Sequence, residues 1–309
     1  MHHLKVTFSF KGDFKMSFQS TRLGLSVMTL IAVLAILVGS SQQSPAHASG
    51  CGFSTVTATS SNTTGNSLSL ADYGLTNPNT LVFATPNWGK SGPYSDHPLG
   101  VWWNGSVWAI FNQDMAAIPI GTSFNETFYT TVTSSNLDVF THTATSSTIT
   151  ANYTVLDDPL ANNNPNAVIE VTPNYNPGGI GATYDNHPIG VWYTGSRWAI
   201  FNQDRAAMPV DAAFNVMVSP SPGSYSFLAI QTASSANSSG DATFLSSPTD
   251  YSGPILFITP NYNPGGVSGT YQNHNIGVYY GTSWGIFNQD KAPMSLGSSF
   301  NVLSLVCPF

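Results

Sequence analysis

The chain has very little charge. Of its 309 residues only 7% are charged, and beyond residue 48 four basic side chains face fourteen acidic ones, for a net charge near −10. Nucleic-acid binding requires clusters of Lys and Arg against the phosphates. We therefore expect no nucleic-acid partner, and a polyanionic partner is also disfavoured.

Long apolar runs are missing too, apart from one near the amino terminus. A basic stretch ends at Arg22, the apolar run Leu23–Val38 follows, and Ala46–Ala48 is a small-residue cleavage site. These are the three parts of a secretory signal peptide. The run is shorter than the roughly 20 residues that span a bilayer, so an uncleaved anchor is the weaker alternative. Residues 1–48 are predicted to be a signal peptide, the protein to be secreted or on the cell surface, and no membrane span to remain after cleavage.

Cysteine occurs only twice, at Cys51 and Cys307. An oxidising compartment outside the cell lets disulfides persist. We predict that the two form a disulfide, which requires Cα atoms within about 7 Å of each other. Lipidation of Cys51 is the alternative.

Three stretches, beginning at Thr85, Thr172 and Thr259, are near copies of one another. Phe53, Phe140 and Phe227 are 87 residues apart, so the whole span is duplicated. The predicted repeats are residues 49–139, 140–226 and 227–309. Because the same side chains recur three times, the pattern favours repeated binding surface over one catalytic centre.

No segment has helical periodicity, whereas short β-branched and aromatic runs lie between Gly, Pro and Asn clusters. We predict an all-β fold of three tandem repeats of about 87 residues, each a small β-sandwich or barrel. A closed pseudo-threefold arrangement of the repeats is the alternative. The strands expected in the second repeat are Phe140–Thr145, Ile149–Val155, Ala167–Thr172, Gly190–Tyr193, Arg197–Asn202 and Phe214–Val218.

Aromatic side chains recur on the hairpin of each repeat. A buried Trp contributes several kcal/mol through its large area, roughly 150–250 Å². Core packing therefore explains Trp108, Trp198 and Trp284 without a ligand. The neighbouring rings adjoin the turn and are the expected exposed, ligand-stacking partners: Trp103, Tyr193 and Tyr280.

The polar string FNQD occurs unaltered in each repeat. Its amides and carboxylate can bind sugar hydroxyls, or they can cap a turn by bonding their own backbone. Turn capping is the favoured interpretation and ligand binding the alternative. The residues concerned are Asn112, Gln113, Asp114, Asn202, Gln203, Asp204, Asn288, Gln289 and Asp290.

Three histidines, His97, His187 and His274, occupy one repeat position. A hydrogen bond to the loop backbone is their simplest role, with ligand binding as the alternative. If the repeats closed around an axis, the three imidazoles would be able to form a three-His metal site. We nevertheless expect no metal and no cofactor.

Evidence for catalysis is sparse. Glycoside hydrolysis needs paired carboxylates, but the two glutamates beyond residue 48, Glu126 and Glu170, are not equivalent in the repeat. No catalytic residue is predicted.

The strings NPNA (164–167), TPNYNPGG (172–179), NHPIGVWY (186–193), WAIFNQD (198–204) and AAFNV (212–216) together resemble a bacterial family of exported tandem-repeat proteins of unknown function. The first repeat departs at Gly89–Pro93 and the third at Asn273–Tyr280. The resemblance implies export, repetition and a β-rich unit, and it carries over no catalytic residue.

The leading functional hypothesis is a non-enzymatic secreted or cell-surface protein that binds a glycan or a cell-surface protein at three equivalent sites. Weak sites engaged together would gain about 10²–10⁴-fold in avidity. A purely structural matrix or surface component is the second hypothesis. A secreted hydrolase is the third.

Overall fold

The computed structural model describes residues 5–9, 15–19, 52–89, 92–181, 183–223, 228–246 and 254–305. The chain forms two compact units, Met1–Ala46 and His47–Phe309. In the first, β1 (Lys5–Ser9) pairs antiparallel with β2 (Lys15–Gln19). Within the described ranges no helix has the length and apolar character needed to cross a bilayer.

Several predictions from the sequence fall on residues outside those ranges. They are the apolar run and cleavage site of the signal peptide, and the disulfide between Cys51 and Cys307. These remain predictions.

Among its described residues the second unit contains strands and short 3₁₀ turns, the latter at Ala71–Tyr73, Pro177–Gly179 and Pro264–Gly266, which confirms the all-β class. Its strands are β3 (Phe53–Thr57), β4 (Thr63–Thr64), β5 (Ser67–Ser69), β6 (Leu81–Asn87), β7 (Leu99–Trp103), β8 (Trp108–Asn112), β9 (Ser123–Tyr129), β10 (Val132–Thr133), β11 (Asp138–Thr143), β12 (Ile149–Thr150), β13 (Tyr153–Val155), β14 (Val168–Pro173), β15 (Ile189–Tyr193), β16 (Trp198–Asn202), β17 (Ala213–Ser219), β18 (Leu228–Thr232), β19 (Ser238–Ser239), β20 (Ala242–Phe244), β21 (Ile255–Asn261), β22 (Ile276–Tyr280), β23 (Trp284–Asn288) and β24 (Ser299–Leu305).

The strands expected in the second repeat are found within two residues of their predicted bounds, with one exception. The predicted strand Ile149–Val155 is a tight hairpin, β12 and β13, that turns at Ala151 with φ 51°. The other repeats have Gly65 and Gly240 at the same turn, also with positive φ. Because glycine adopts this conformation freely, those two copies signal the turn that Ala151 conceals.

Each repeat is a sandwich of two antiparallel sheets. The inner sheet contains β3, β9 and β6 in the first repeat, β11, β17 and β14 with β10 at the edge in the second, and β18, β24 and β21 in the third. The hairpin sheet contains β4, β5, β8 and β7, then β12, β13, β16 and β15, then β19, β20, β23 and β22. Between the two sheets lies a core such as that of the first repeat, where Leu68, Val82, Trp108 and Phe124 are fully buried.

The repeats close on one another in a ring. The last strand of each hairpin sheet lies parallel to an inner-sheet strand of the next repeat. The Cα partners are Val101 with Asn174, Val191 with Asn261, and Val278 with Asn87. The third of these returns the chain to the first repeat. Of the two arrangements left open by the sequence, the closed pseudo-threefold one is observed.

The inner sheets also pack against each other around the pseudo-threefold axis. This central core takes buried side chains from every repeat, among them Phe83, Val139, Met217, Phe257 and Leu303. An inner sheet is therefore covered on both faces, and every residue of β17 and β24 is buried. Each fully buried apolar side chain contributes about 1.5–3 kcal/mol, so the central core binds the repeats into one folding unit.

Candidate functional site

The hairpin tryptophans are core residues, as expected. Trp108 and Trp198 are completely buried and Trp284 is 4% exposed. Their neighbours were expected to be exposed, and this is wrong: Tyr193 is buried, while Trp103 and Tyr280 are half-buried. Each of the three rings packs on the buried Trp of its own hairpin, with ring centroids 5.6–6.1 Å apart.

Contacts between repeats explain this burial. Trp103 lies against Gly179 of the second repeat, where an added Cβ would come within 2.9 Å of the indole. The side-chain amide of Asn176 joins the same contact. Its Oδ1 accepts from the Trp103 backbone N–H at 2.7 Å, and its Nδ2 donates to the Trp103 carbonyl at 2.8 Å. Asn263 makes the same two bonds to Tyr193.

The asparagines of FNQD are also internal. Asn112, Asn202 and Asn288 are at most 1% exposed. Each Nδ2 donates to the carbonyl four residues ahead, at 3.0, 3.3 and 2.9 Å. Turn capping, the favoured interpretation, accounts for these side chains.

The glutamines of FNQD bridge neighbouring repeats. Gln113 Oε1 accepts from the Asp185 backbone N–H, Gln203 Oε1 from that of Gln272, and Gln289 Oε1 from that of Ser95, each at 3.0 Å. Gln113 Nε2 also donates to the Asp185 carbonyl at 2.9 Å. A motif interpreted as a local turn therefore also fastens each repeat to the next.

The aspartates complete the turn and hold the histidines. The Oδ1 atoms of Asp114, Asp204 and Asp290 accept from backbone amides two residues ahead, at 2.9–3.0 Å. Their Oδ2 atoms lie 2.5, 2.6 and 2.7 Å from Nδ1 of His97, His187 and His274, respectively. The imidazoles thus bond carboxylates, whereas a bond to the loop backbone was the expected role.

The surroundings of Asp290 lower the pKa of its carboxyl. Burial would raise the pKa of Asp290, but the hydrogen bonds from the Ala292 amide and from His274, with the charge of His274, outweigh burial and lower it. Asp290 is therefore ionised and accepts both bonds.

The three histidines line one pocket on the pseudo-threefold axis, which we call the axial pocket. The same positions of each repeat contribute to its wall: Pro86, Pro173 and Pro260; His97, His187 and His274; Pro98, Pro188 and Asn275; Leu99, Ile189 and Ile276; Ala84, Val171 and Ile258. Its volume is about 80 Å³. The imidazoles are 25–29% exposed, so solvent reaches them.

The axial pocket is not a three-His metal site. In the described part of the chain, no three His, Cys, Asp or Glu side chains are placed to hold a metal ion. The imidazoles share the pocket without converging on one coordination point.

The two glutamates lie away from the axial pocket and inside the protein. Glu126 is fully buried, and burial raises its pKa to about 7 against the opposing hydrogen bond from Ser54. Glu170 is 2% exposed, and burial raises its pKa well above the ordinary value even though Thr259 donates to it at 2.8 Å. Neither is accessible to a polysaccharide.

The His–Asp pairs were not predicted, although the spacing of these residues in the sequence indicates them. The aspartate follows its histidine by 17, 17 and 16 residues in the three repeats. This near-constant separation spans a strand hairpin whose ends lie side by side. Pairing each FNQD aspartate with the preceding histidine would have located the site.

Comparison with known proteins places the chain in one family. No curated protein and no solved structure matches it. Residues 46–127, 125–218 and 220–304 each match the family described as domain of unknown function (DUF7452). These segments cover most of the chain, so the protein belongs to the DUF7452 family and contains three consecutive copies of its domain.

Proposed function

We propose that the protein is a non-enzymatic secreted or cell-surface β protein that binds a glycan or protein partner at the axial pocket. One observation carries the proposal: all three repeats contribute equivalent positions to a single solvent-accessible depression, and among them is a histidine that pairs with an aspartate of its own repeat. Packing alone does not require an imidazole there, because aliphatic side chains would fill the space without needing carboxylate partners.

The sequence suggested three separate weak sites, one on each hairpin. The proposed site is instead a single pocket to which all three repeats contribute. The side chains expected to bind at the hairpins are engaged elsewhere, since the glutamines join repeats and Trp103 and Tyr193 pack in the contacts between them. Avidity among three separated sites is therefore not part of the proposal. What the three copies provide is threefold-equivalent groups around one ligand.

Export from a bacterial cell belongs to the same proposal. It is supported by the basic stretch, apolar run and cleavage site of residues 1–48 and by the paucity of charge beyond them. Glycans and surface proteins are the partners that such a location makes available.

A structural role is the second candidate. It is favoured by the internal use of the asparagines and glutamines, which serve folding in each repeat. It predicts self-association or retention in the cell wall without ligand binding.

A glycan array probed with residues 49–309 tests the proposal, beside the triple variant His97→Ala, His187→Ala, His274→Ala. The control is Asp157→Asn, because Asp157 is exposed on the surface and pairs with Arg197 at 3.1 Å, away from the pocket. We expect a glycan class to bind wild type and control and not the triple variant. An empty array with self-association would favour the structural role, and binding retained by the triple variant would remove the axial pocket as the site.

A further inference from the structure

Another cavity lies in the first repeat, between the loop of residues 74–80 and the end of β9, and we call it the loop cleft. Its volume is about 410 Å³, within the roughly 300–1,000 Å³ that ligand pockets occupy. The residues that line it are Gly74, Leu75, Thr76, Asn77, Thr80, Phe128, Tyr129 and Thr130. The loop cleft is therefore large enough for a ligand of the size of a sugar ring.

The loop cleft and the axial pocket lie at opposite ends of β6. Tyr129 of the loop cleft pairs with Leu81, the first residue of β6, whereas Pro86 lines the axial pocket. An extended strand that advances five residues, from Leu81 to Pro86, covers about 17 Å. The loop cleft is thus a separate site.

In the second repeat one side chain bridges the same place. Asn77 and Asn164 are equivalent, because the carbonyl of each accepts from the indole N–H of the buried Trp of its repeat at 2.8 Å. Asn164 Nδ2 donates to the carbonyl of Leu160 at 2.8 Å and to that of Pro220 at 2.7 Å, which ties the loop to the end of β17. Within the described residues Asn77 Nδ2 makes no such bond. The loop and the strand are therefore not tied together in the first repeat, and Asn77 keeps its two N–H donors at the loop cleft.

Other side chains of the loop cleft also differ from those of the second repeat. Phe124 of β9 and Phe214 of β17 are equivalent, because each pairs with the proline of the repeated string Thr-Pro-Asn. By this alignment, and by the loop alignment at the asparagines, the residues Thr80, Phe128, Tyr129 and Thr130 correspond to Ala167, Val218, Ser219 and Pro220. The corresponding loop of the third repeat lies outside the described residues. The second repeat thus lacks the aromatic rings of the loop cleft as well as its opening.

The lining combines apolar surface with hydrogen-bonding groups and carries no charge. Leu75, Phe128 and Tyr129 supply the apolar surface, and no charged side chain of the described residues takes part. Three hydroxyls, each able to donate and to accept, have no hydrogen-bond partner among the described residues: those of Thr76, Thr80 and Thr130. A neutral ligand with an apolar face and several hydroxyls matches this set. An ionic ligand does not, because enclosing a charge without a partner costs free energy.

A pyranose ring has these properties. The partly positive C–H groups of one ring face pack on aromatic and aliphatic side chains. Its hydroxyls exchange hydrogen bonds with threonine hydroxyls and with an asparagine amide.

We propose that the loop cleft binds one neutral pyranose, either a free sugar or the terminal residue of a glycan. This site is additional to the axial pocket and goes beyond the proposed function.

Ligand-observed NMR titration of the protein tests the inference with four probes, the methyl pyranosides of glucose, galactose, mannose and N-acetylglucosamine. We expect at least one of them to bind. Cyclohexanol is the control ligand, because it keeps a six-membered apolar ring and has a single hydroxyl; it should bind at least about fivefold more weakly. Binding of none of the four probes, or equal binding of cyclohexanol, would overturn the inference.

Variants place the sugar in the loop cleft. Thr80→Ala combined with Thr130→Ala removes two hydroxyls and should weaken binding of the methyl pyranoside about fivefold or more. Phe128→Val introduces the side chain that the second repeat has at this position and should weaken binding about threefold or more, so the test survives if the double variant does not fold. Thr141→Ala is the matched control, because Thr141 is exposed on β11 of the second repeat. Unchanged affinity in a folded cleft variant would contradict the assignment.

A trisaccharide of the bound sugar, such as maltotriose for glucose, distinguishes the two sources. Tighter binding than that of the methyl pyranoside identifies the end of a glycan, and equal affinities identify a single sugar. The triple histidine variant of the axial pocket should bind the methyl pyranoside as wild type does. If that variant loses binding and the cleft variants do not, the sugar is bound in the axial pocket, so this inference fails and the proposed function stands.

Discussion

Gln289 Oε1 accepts a hydrogen bond of 3.0 Å from the backbone N–H of Ser95, although 194 residues separate the two in sequence. This bond joins the third repeat to the first, and equivalent bonds join the first to the second and the second to the third. Because both residues are nearly fully buried, water cannot replace the missing partner if the bond is lost. The bond is thus part of what closes the ring.

Gln289→Ala should lower the free energy of unfolding by about 1–3 kcal/mol, because it leaves the buried Ser95 amide unpaired. Urea denaturation at constant pH measures the change. Gln231→Ala is the control, since Gln231 is only partly buried and bonds Thr243 within its own repeat at 3.0 Å. If Gln289→Ala lowers the free energy of unfolding no more than Gln231→Ala does, the hydrogen bond between repeats does not stabilise the protein.

Gly277→Ala should destabilise the same joint. Its Cβ would lie 2.9 Å from Phe287 Cε1 and 3.2 Å from the Pro86 carbonyl oxygen of the first repeat, and the backbone there cannot easily move. We expect a loss of about 1–3 kcal/mol in chemical denaturation. Gly281→Ala is the matched control four residues away, because its Cβ would meet only Tyr279 at 3.7 Å. Equal stability of the two variants would argue against close packing at the joint.

Glu126→Gln should change how stability depends on pH. Burial raises the pKa of Glu126 from 4.5 to about 7, so the folded chain holds a proton that the unfolded chain releases. The free energy of unfolding is therefore highest, as far as this carboxyl affects it, below pH 4.5, and it falls as the pH rises through about 7. Between pH 4 and pH 8 the variant should gain about 3 kcal/mol relative to wild type.

Denaturation of wild type and variant at both pH values gives this difference, in which the contributions of the other titrating groups cancel. Glu170→Gln should shift stability in the same direction, since burial also raises the pKa of Glu170. Asp157→Asn should show no gain with rising pH, because Asn162 and Arg197 lower the pKa of that exposed carboxyl. A pH-independent difference for Glu126→Gln would mean that folding does not raise the pKa of this carboxyl.

Local structure was largely predictable from the sequence because it depends on short-range patterns. Five of the six strands predicted in the second repeat, and the buried Trp198, follow from β-branched runs, turn residues and side-chain size. The turn-capping role of Asn202 likewise follows from the known preference of asparagine for bonding nearby backbone.

Contacts between repeats were not predictable in the same way, since they depend on which surfaces the closed ring brings together. From the sequence of one repeat, Gln203 and Tyr193 are reasonable ligand-binding residues. In the closed ring both are hydrogen-bonded to the next repeat, and Tyr193 is buried. One signal of closure was available. The strand Ile255–Asn261 lacks alternation of apolar and polar residues in its first half, as expected for a strand covered on both faces.

Differential scanning calorimetry of residues 49–309 tests most directly whether the three repeats form one closed unit. The central core and the ring of joints predict a single transition whose calorimetric and van't Hoff enthalpies have a ratio of about 1. Three separable transitions, or a ratio of about 3, would show that the repeats unfold independently and would contradict the closed arrangement.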